Sequence, residues 1–189
     1  ISSFLPLFGI VFASWLGLAS AGAAESYIIV DNQTGYILAS KNAQARVQVA
    51  SLTKIATAVV VLDAQDMKMV SLNERATVTG AALRSGGVNP AGLLEGDSLT
   101  IRDLLYAALL ASDNVAAATL ADHVGRKLPN PTRLDPIGNF VAHMNALARN
   151  LEMRRTLFLN PHGMDNVEGT LPHSTAADMA RLTRYAYTE

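Results

Sequence analysis

The alternation of apolar and polar positions divides the chain into an unbroken apolar leader and a patterned body. Residues 4–18 read FLPLFGIVFASWLGL, an uninterrupted stretch of the length expected for the core of a secretory signal. Small residues follow from Ala19 to Ala24, and both Ala19-Ser20-Ala21 and Ala21-Gly22-Ala23 satisfy the A-x-A cleavage pattern. This predicts a signal peptide over residues 1–24. The signal is expected to extend further at its N-terminus, since the sequence starts at Ile1 and shows no basic n-region. The alternative is an uncleaved anchor, for which the run is short, since a span needs roughly 20 apolar residues. Both readings imply export.

Beyond the leader the period changes. Tyr27 to Asp31, a turn containing Gly35, and Tyr36 to Ala39 predict a β-hairpin. From Ser51 to about Asp66, Ile55, Ala58, Val59 and Leu62 recur at three- and four-residue steps and predict a helix. Residues 80–97 are rich in Gly, Ser, Asn and Pro and predict a long loop. Thr100 with Asp103 predicts a capped helix start running to Leu110, and a second helix covers Val115 to Val124 with Gly125 as its C-cap. A connector from Pro129 to Pro136 leads to an amphipathic helix over Ile137 to Leu151. Asn160-Pro161-His162-Gly163 is a turn, and Thr175 caps a last helix. A lone hairpin leaves a sheet edge unpaired and little sheet for the helices to cover, so further strands are expected beyond Glu189.

Composition narrows the chemistry. Half the residues are hydrophobic and 16% are charged, enough to bury one core. The net charge of −1, with no Lys or Arg run, argues against nucleic acid as a partner. The chain has no cysteine, which excludes disulfides, thiol nucleophiles and Cys-based zinc sites. His123, His143, His162 and His173 form no metal-binding spacing, and no cofactor is implied. By position, His123 is a favourable partner for a helix C-terminus and His162 a turn residue.

One pair of residues has a reactive spacing. Ser51 and Lys54 are three residues apart at a helix start, so they share a face and can touch. A serine hydroxyl becomes a nucleophile when a neighbour takes its proton, and a lysine can do so only as the free amine. Its pKa must then fall below the ordinary value of about 10.4 through burial or nearby positive charge. The bland alternative is an N-cap serine beside a solvated lysine. Ser112-Asp113-Asn114 interrupts two apolar helical runs. It reads either as a helix–helix turn or as a second polar group for the same site. In the second case Ser112 relays a proton from Lys54 to a leaving amine, and Asn114 binds a substrate amide carbonyl.

S-x-x-K followed by S-D-N is a pairing found in penicillin-binding proteins and class A β-lactamases. With both in place, the chain resembles the D-alanyl-D-alanine carboxypeptidases, the low-molecular-mass penicillin-binding proteins. The likeness extends through Ala50 to Ile55, Ala91-Gly92-Leu93, Gly96-Asp97, Leu99 to Leu105, Phe158 to Asp165 and Ser174 to Ala180. It therefore covers residues 27–189. The resemblance implies an α+β, β-lactamase/DD-peptidase-like fold: an antiparallel sheet flanked by helices, beside an all-helical part. It implies acylation of Ser51, Lys54 as its base, and Ser112 with Asn114 completing that side of the site. The substrate implied is the peptidoglycan stem peptide, with β-lactams as covalent inhibitors. The location implied is periplasmic or extracytoplasmic, with membrane association only through the signal or a C-terminal anchor outside this sequence.

Two departures qualify the likeness. No Lys-Thr-Gly or Lys-Ser-Gly follows Asn114, although in the family that strand binds the substrate carboxylate and supplies part of the oxyanion hole. Loss of one oxyanion donor costs ~100- to 1,000-fold in rate, so the motif is expected downstream of Glu189 and the fragment alone is expected to be inactive. Asp113 matches the lactamase wording where many carboxypeptidases carry Gly. A class A β-lactamase also needs a glutamate to activate water; the acids available are Glu152, which lacks the expected context, and Glu168, and both read more simply as solvated surface acids. A DD-endopeptidase, a β-lactamase and a non-catalytic penicillin-recognising sensor are the alternatives to a carboxypeptidase.

Overall fold

The structure is a computed structural model that describes residues 25–165, 169 and 171–188. The predicted signal over 1–24, with Trp15, and the candidate acid Glu168 lie outside the described residues. The predicted hairpin forms from Tyr27–Val30 (β1) and Ile37–Lys41 (β2), paired antiparallel with a register shift between Ile29 and Val30. Its turn is closed by Asp31 Oδ1, which accepts hydrogen bonds from the Thr34 N–H at 2.7 Å and the Thr34 hydroxyl at 2.6 Å.

A short 3-10 turn over Ala50–Leu52 opens into α1, Thr53–Asp66. Ala56, Val59, Val60, Val61 and Ala64 of α1 are buried, so it runs through the protein rather than over its surface. Two short strands escape the sequence pattern: Arg75–Thr77 (β3) pairs antiparallel with Ser98–Thr100 (β4), Ala76 facing Leu99. Three residues are too few to display a period of two, so nothing in the sequence separates them from loop.

The region expected as one loop over 80–97 contains a helix, α2, Gly80–Gly86. Thr79 caps it by accepting a hydrogen bond from the Ala82 N–H at 3.2 Å. Glycine content misleads here because Gly86 serves close packing. A Cβ at that position would lie 2.7 Å from the Val115 Cα. Tertiary contact overrides the low intrinsic propensity.

Ile101–Leu110 (α3) begins at its expected cap, with Thr100 Oγ1 accepting from the Asp103 N–H at 3.1 Å. Asn114–Gly125 (α4) is the central helix, buried along nearly its whole length against α1, α2 and α3. Pro136–Asn150 (α5) packs on it, capped by Asp135 and with Pro136 in its first turn, where the missing N–H costs nothing. Ala176–Thr188 (α6) is capped by Thr175 Oγ1, which accepts from the Asp178 N–H at 3.0 Å, and lies against β1. An isolated antiparallel bridge from Val47 to Ser174 ties the chain after β2 to the segment between α5 and α6, and a second, Leu157 to His173, closes that segment on itself.

Gly125 differs from its expected role. It is the last residue of α4 rather than a left-handed cap beyond it. A Cβ there would fall on the Pro136 carbonyl and within 3.3 Å of Phe140 Cβ. The Gly125 carbonyl at the end of α4 is instead satisfied by Asn139, whose Nδ2 donates to it at 2.9 Å and to Leu128 O, beyond the helix, at 3.2 Å. His123 also has a more specific role than a dipole partner. Its Nε2 and the Lys127 Nζ both meet Glu74 Oε1, at 2.6 and 2.5 Å, which ties α4 to the approach to β3.

Gly125→Ala should therefore lower stability by about 1–3 kcal/mol, as overpacking does, measured by urea unfolding. Burial opposes ionisation of Glu74. Hydrogen bonds from Lys127, His123 and the Ser71 N–H outweigh it and bring its pKa from 4.5 to about 2. The folded state is thus favoured by this group above pH 4.5, and the contribution is lost as pH falls towards 2. Thermal melts of Glu74→Gln should show a weaker dependence on pH across that window than wild type.

Candidate active site

The site forms where three chain reversals meet. Ala50 adopts φ 44 and Ser112 φ 56, both in the left-handed region that non-glycine residues seldom occupy. The first reversal turns the chain into the 3-10 turn and presents Ser51 at the surface. The second breaks α3 from α4 and points Ser112 back at Ser51.

Lys54 sits one turn into the helical run with 2% of its surface exposed. Its Nζ lies 3.0 Å from Ser51 Oγ, 3.3 Å from Ser112 Oγ and 3.2 Å from the His162 carbonyl oxygen. Ser112 Oγ donates to Ser51 Oγ at 2.8 Å. Burial drives the Lys54 pKa below its ordinary 10.5, and the negative charge of Asp113 opposes that shift. Burial, followed by the neighbouring Lys54 charge, takes His162 down to about 4 against the pull of the Ser85 carbonyl. The His162 ring is therefore neutral at ordinary pH.

Asp113 does not contact the amine. Its Oδ1 caps α4 through the Ala116 N–H at 2.7 Å, and its Oδ2 accepts from the Ala91 N–H at 2.9 Å. This carboxylate fixes the α3–α4 break and holds the loop at Ala91 against it. Asn114 sits at the start of α4, 5% exposed, and donates its main-chain N–H to Val88 O at 3.0 Å. Its side-chain amide has no hydrogen-bond partner among the described residues.

A crevice of about 430 Å³ opens beside Ser51, Lys54 and Ser112, with a wall of Val49, Leu52, Ile55, Ala108 and Leu109. Ser51, Lys54 and Ser112 line this crevice together, and Asn114 opens α4 two residues after Ser112. Glu152 is exposed in the turn after α5, with its carbonyl accepting from Arg181, and takes no part in the cluster. The sequence reading missed the His162 main-chain carbonyl, because main-chain acceptors leave no residue-type signal. It also passed over Thr57, a polar residue at Ala56-Thr57-Ala58 in a buried helix face. That anomaly was visible.

Residues 18–189 match the D-alanyl-D-alanine carboxypeptidase family, to which the chain belongs. It is 34% identical over 166 residues to the D-alanyl-D-alanine carboxypeptidase DacC of Escherichia coli, a match covering 84% of this chain and 38% of that protein. It is also 34% identical over 167 residues to a D-alanyl-D-alanine endopeptidase of Pseudomonas aeruginosa, covering 85% and 46%. The crystal structure of the carboxypeptidase DacD from Francisella tularensis superposes with a TM-score of 0.76 at 28% identity, over 88% of this chain and 37% of that one. An ampicillin-bound penicillin-binding protein from Listeria monocytogenes gives 0.72 at 30% identity, over 87% and 62%. The α+β, DD-peptidase-like fold is therefore as expected. The chain spans less than half the length of these two curated relatives.

The pKa directions can be checked by NMR on selectively labelled protein. The Lys54 Cε signal should titrate at lower pH than those of exposed lysines, and the His162 ring should stay neutral until about pH 4.

Proposed function

We propose that the full-length protein is a serine D-alanyl-D-alanine carboxypeptidase. In this reading Ser51 is the nucleophile, Lys54 its base, Ser112 the proton relay and Asn114 the donor to a substrate amide carbonyl. The observation that carries it is the closed contact of Ser51 Oγ, Lys54 Nζ and Ser112 Oγ, with sides of 3.0, 3.3 and 2.8 Å.

Donor counting makes the triangle reactive. A neutral amine has two N–H donors and one lone pair. The His162 carbonyl can only accept, so it takes one N–H. The second goes to Ser112 Oγ, whose own hydrogen points at Ser51 Oγ. The remaining lone pair then faces the Ser51 hydroxyl hydrogen. As Ser51 Oγ bonds to the carbonyl carbon between two D-alanines, its proton passes to Lys54. When the C–N bond breaks, the leaving amine takes the Ser112 hydroxyl proton, and the Lys54 ammonium returns one to Ser112. D-Alanine departs, the amine is neutral again, and water hydrolyses the ester. A β-lactam would follow the first half of this path, its leaving nitrogen staying tethered.

The family match and the ampicillin complex of the Listeria relative support this reading. The Pseudomonas relative, equal in identity to the Escherichia one, favours a DD-endopeptidase as the second reading. We assign residues 25–189 to a partial transpeptidase-like domain carried out of the cytoplasm behind a signal over 1–24. The wall peptide it would act on lies there. Carboxylate binding by a Lys-Thr-Gly strand is assigned to residues outside this sequence.

Full-length protein should be labelled covalently by a fluorescent penicillin and should release D-alanine from a stem pentapeptide, while Ser51→Ala does neither. Retained covalent labelling of that variant would overturn the assignment. Release of free peptides from a cross-linked dimer, without D-alanine release, would select the endopeptidase. Because only the neutral amine serves as base, the wild-type acylation rate should rise with pH to a plateau, with a midpoint below the 10.5 of an ordinary lysine.

A further inference from the structure

The turn that carries the His162 carbonyl runs antiparallel along the first turns of α1. Thr57 Oγ1 donates to the Pro161 carbonyl at 2.6 Å, and Lys54 Nζ donates to the next carbonyl, His162, at 3.2 Å. Thr57 and Lys54 are three residues apart on one face of α1, so two successive carbonyls are gripped by donors one helical turn apart. At the third step, Gly163 adopts φ +86, and a Cβ there would strike the Ala50 carbonyl and lie 2.7 Å from Thr53 Oγ1. The turn is held internally by Asn160. Its Oδ1 accepts from the N–H groups of His162 and Gly163 at 3.2 and 2.6 Å, and its Nδ2 donates to Met164 O at 2.7 Å.

We propose that Thr57 is a positioning residue for the acyl-transfer reaction, its hydroxyl setting the register of the 160–163 turn so that the His162 carbonyl fixes the orientation of Lys54 Nζ. This rests on the reading of Ser51 and Lys54 given above. The geometry requires it because the amine has rotational freedom about its last bond, and Ser51 and Ser112 can each donate or accept. The His162 carbonyl cannot donate, so it alone determines which way the lone pair points. Among the described residues the other hydrogen-bond partner of the Thr57 hydroxyl is the weakly accepting Met144 Sδ at 3.9 Å. A purely structural hydroxyl at a site 1% exposed would leave the amine's titration unchanged. A register-setting one would not, because a carbonyl acceptor favours the protonated amine. The other ionisable groups facing Lys54 are Asp113 and the His162 ring, and neither is altered in the test.

The test uses full-length protein and a fluorescent penicillin, with the acylation rate followed against pH for wild type, Thr57→Val, Thr57→Ser and Ser51→Ala. Valine keeps the shape and removes the hydroxyl, whereas serine restores it. We expect Thr57→Val to lose about 10- to 100-fold in plateau rate, the scale of a misplaced reacting group, with its pH midpoint moved down. Thr57→Ser should recover most of the rate and the wild-type midpoint. A wild-type rate and midpoint in Thr57→Val would overturn the proposal. So would a rate loss with an unshifted midpoint, or one that serine does not restore. Labelling of Ser51→Ala would instead overturn the reading on which the proposal rests, so the two failures are separable.

Discussion

An amine buried among helices is the constraint around which this structure is arranged. Water would satisfy a lysine's hydrogens without cost, but at 2% exposure Lys54 depends on the protein for all of them. Leaving such a group unsatisfied costs several kcal/mol, and leaving it charged and unpaired costs more. Three oxygens come from three distant parts of the chain, Ser51, Ser112 and His162. Each requires a chain reversal: the 3-10 turn before α1, the break between α3 and α4, and the turn after α5. The depth of α1 and the burial of α4 follow from needing all of these within reach of one nitrogen.

Holding that arrangement stores strain. Ala50 and Ser112 both occupy the left-handed region without being glycine, and such conformations cost about 1–3 kcal/mol each. The surroundings leave them no alternative. Beside Ser112, Asp113 is fully buried, caps α4 and binds the Ala91 N–H. Across from Ala50, the Gly163 backbone lies so close that a side chain could not be accommodated. The left-handed turn at Ser112 is the point at which its hydroxyl meets Ser51 Oγ at 2.8 Å. The strain and the contact have the same origin.

Much of this was legible from residue types and spacing. The helices over 101–110, 114–125, 136–150 and 176–188 carry both periodicity and caps. Ser51 with Lys54 is a local spacing that any helix would bring into contact. What could not be seen depends on packing between distant segments. Gly86 and Gly125 look like helix breakers and are contact points, because a glycine's meaning depends on what approaches it. β3 and β4 are too short to have a pattern. The His162 carbonyl was invisible for a different reason, since every residue has one.

The choice of a carbonyl as the third partner has a chemical consequence that a carboxylate or a hydroxyl would not reproduce. A carboxylate at that distance from Lys54 would pin the amine as an ammonium, since an adjacent negative charge raises a lysine's pKa. Among the described residues, the carboxylate that acts on Lys54 is Asp113, which has both oxygens engaged by backbone N–H groups and acts through its field. A hydroxyl in the carbonyl's place could donate to the lone pair and occupy it. A carbonyl has no proton and no net charge. It orients the amine while favouring the ammonium far less than a carboxylate would, and it leaves the amine's lone pair free. The acceptor in this turn is an uncharged carbonyl of the main chain, gripped at its neighbours by Thr57 and Asn160.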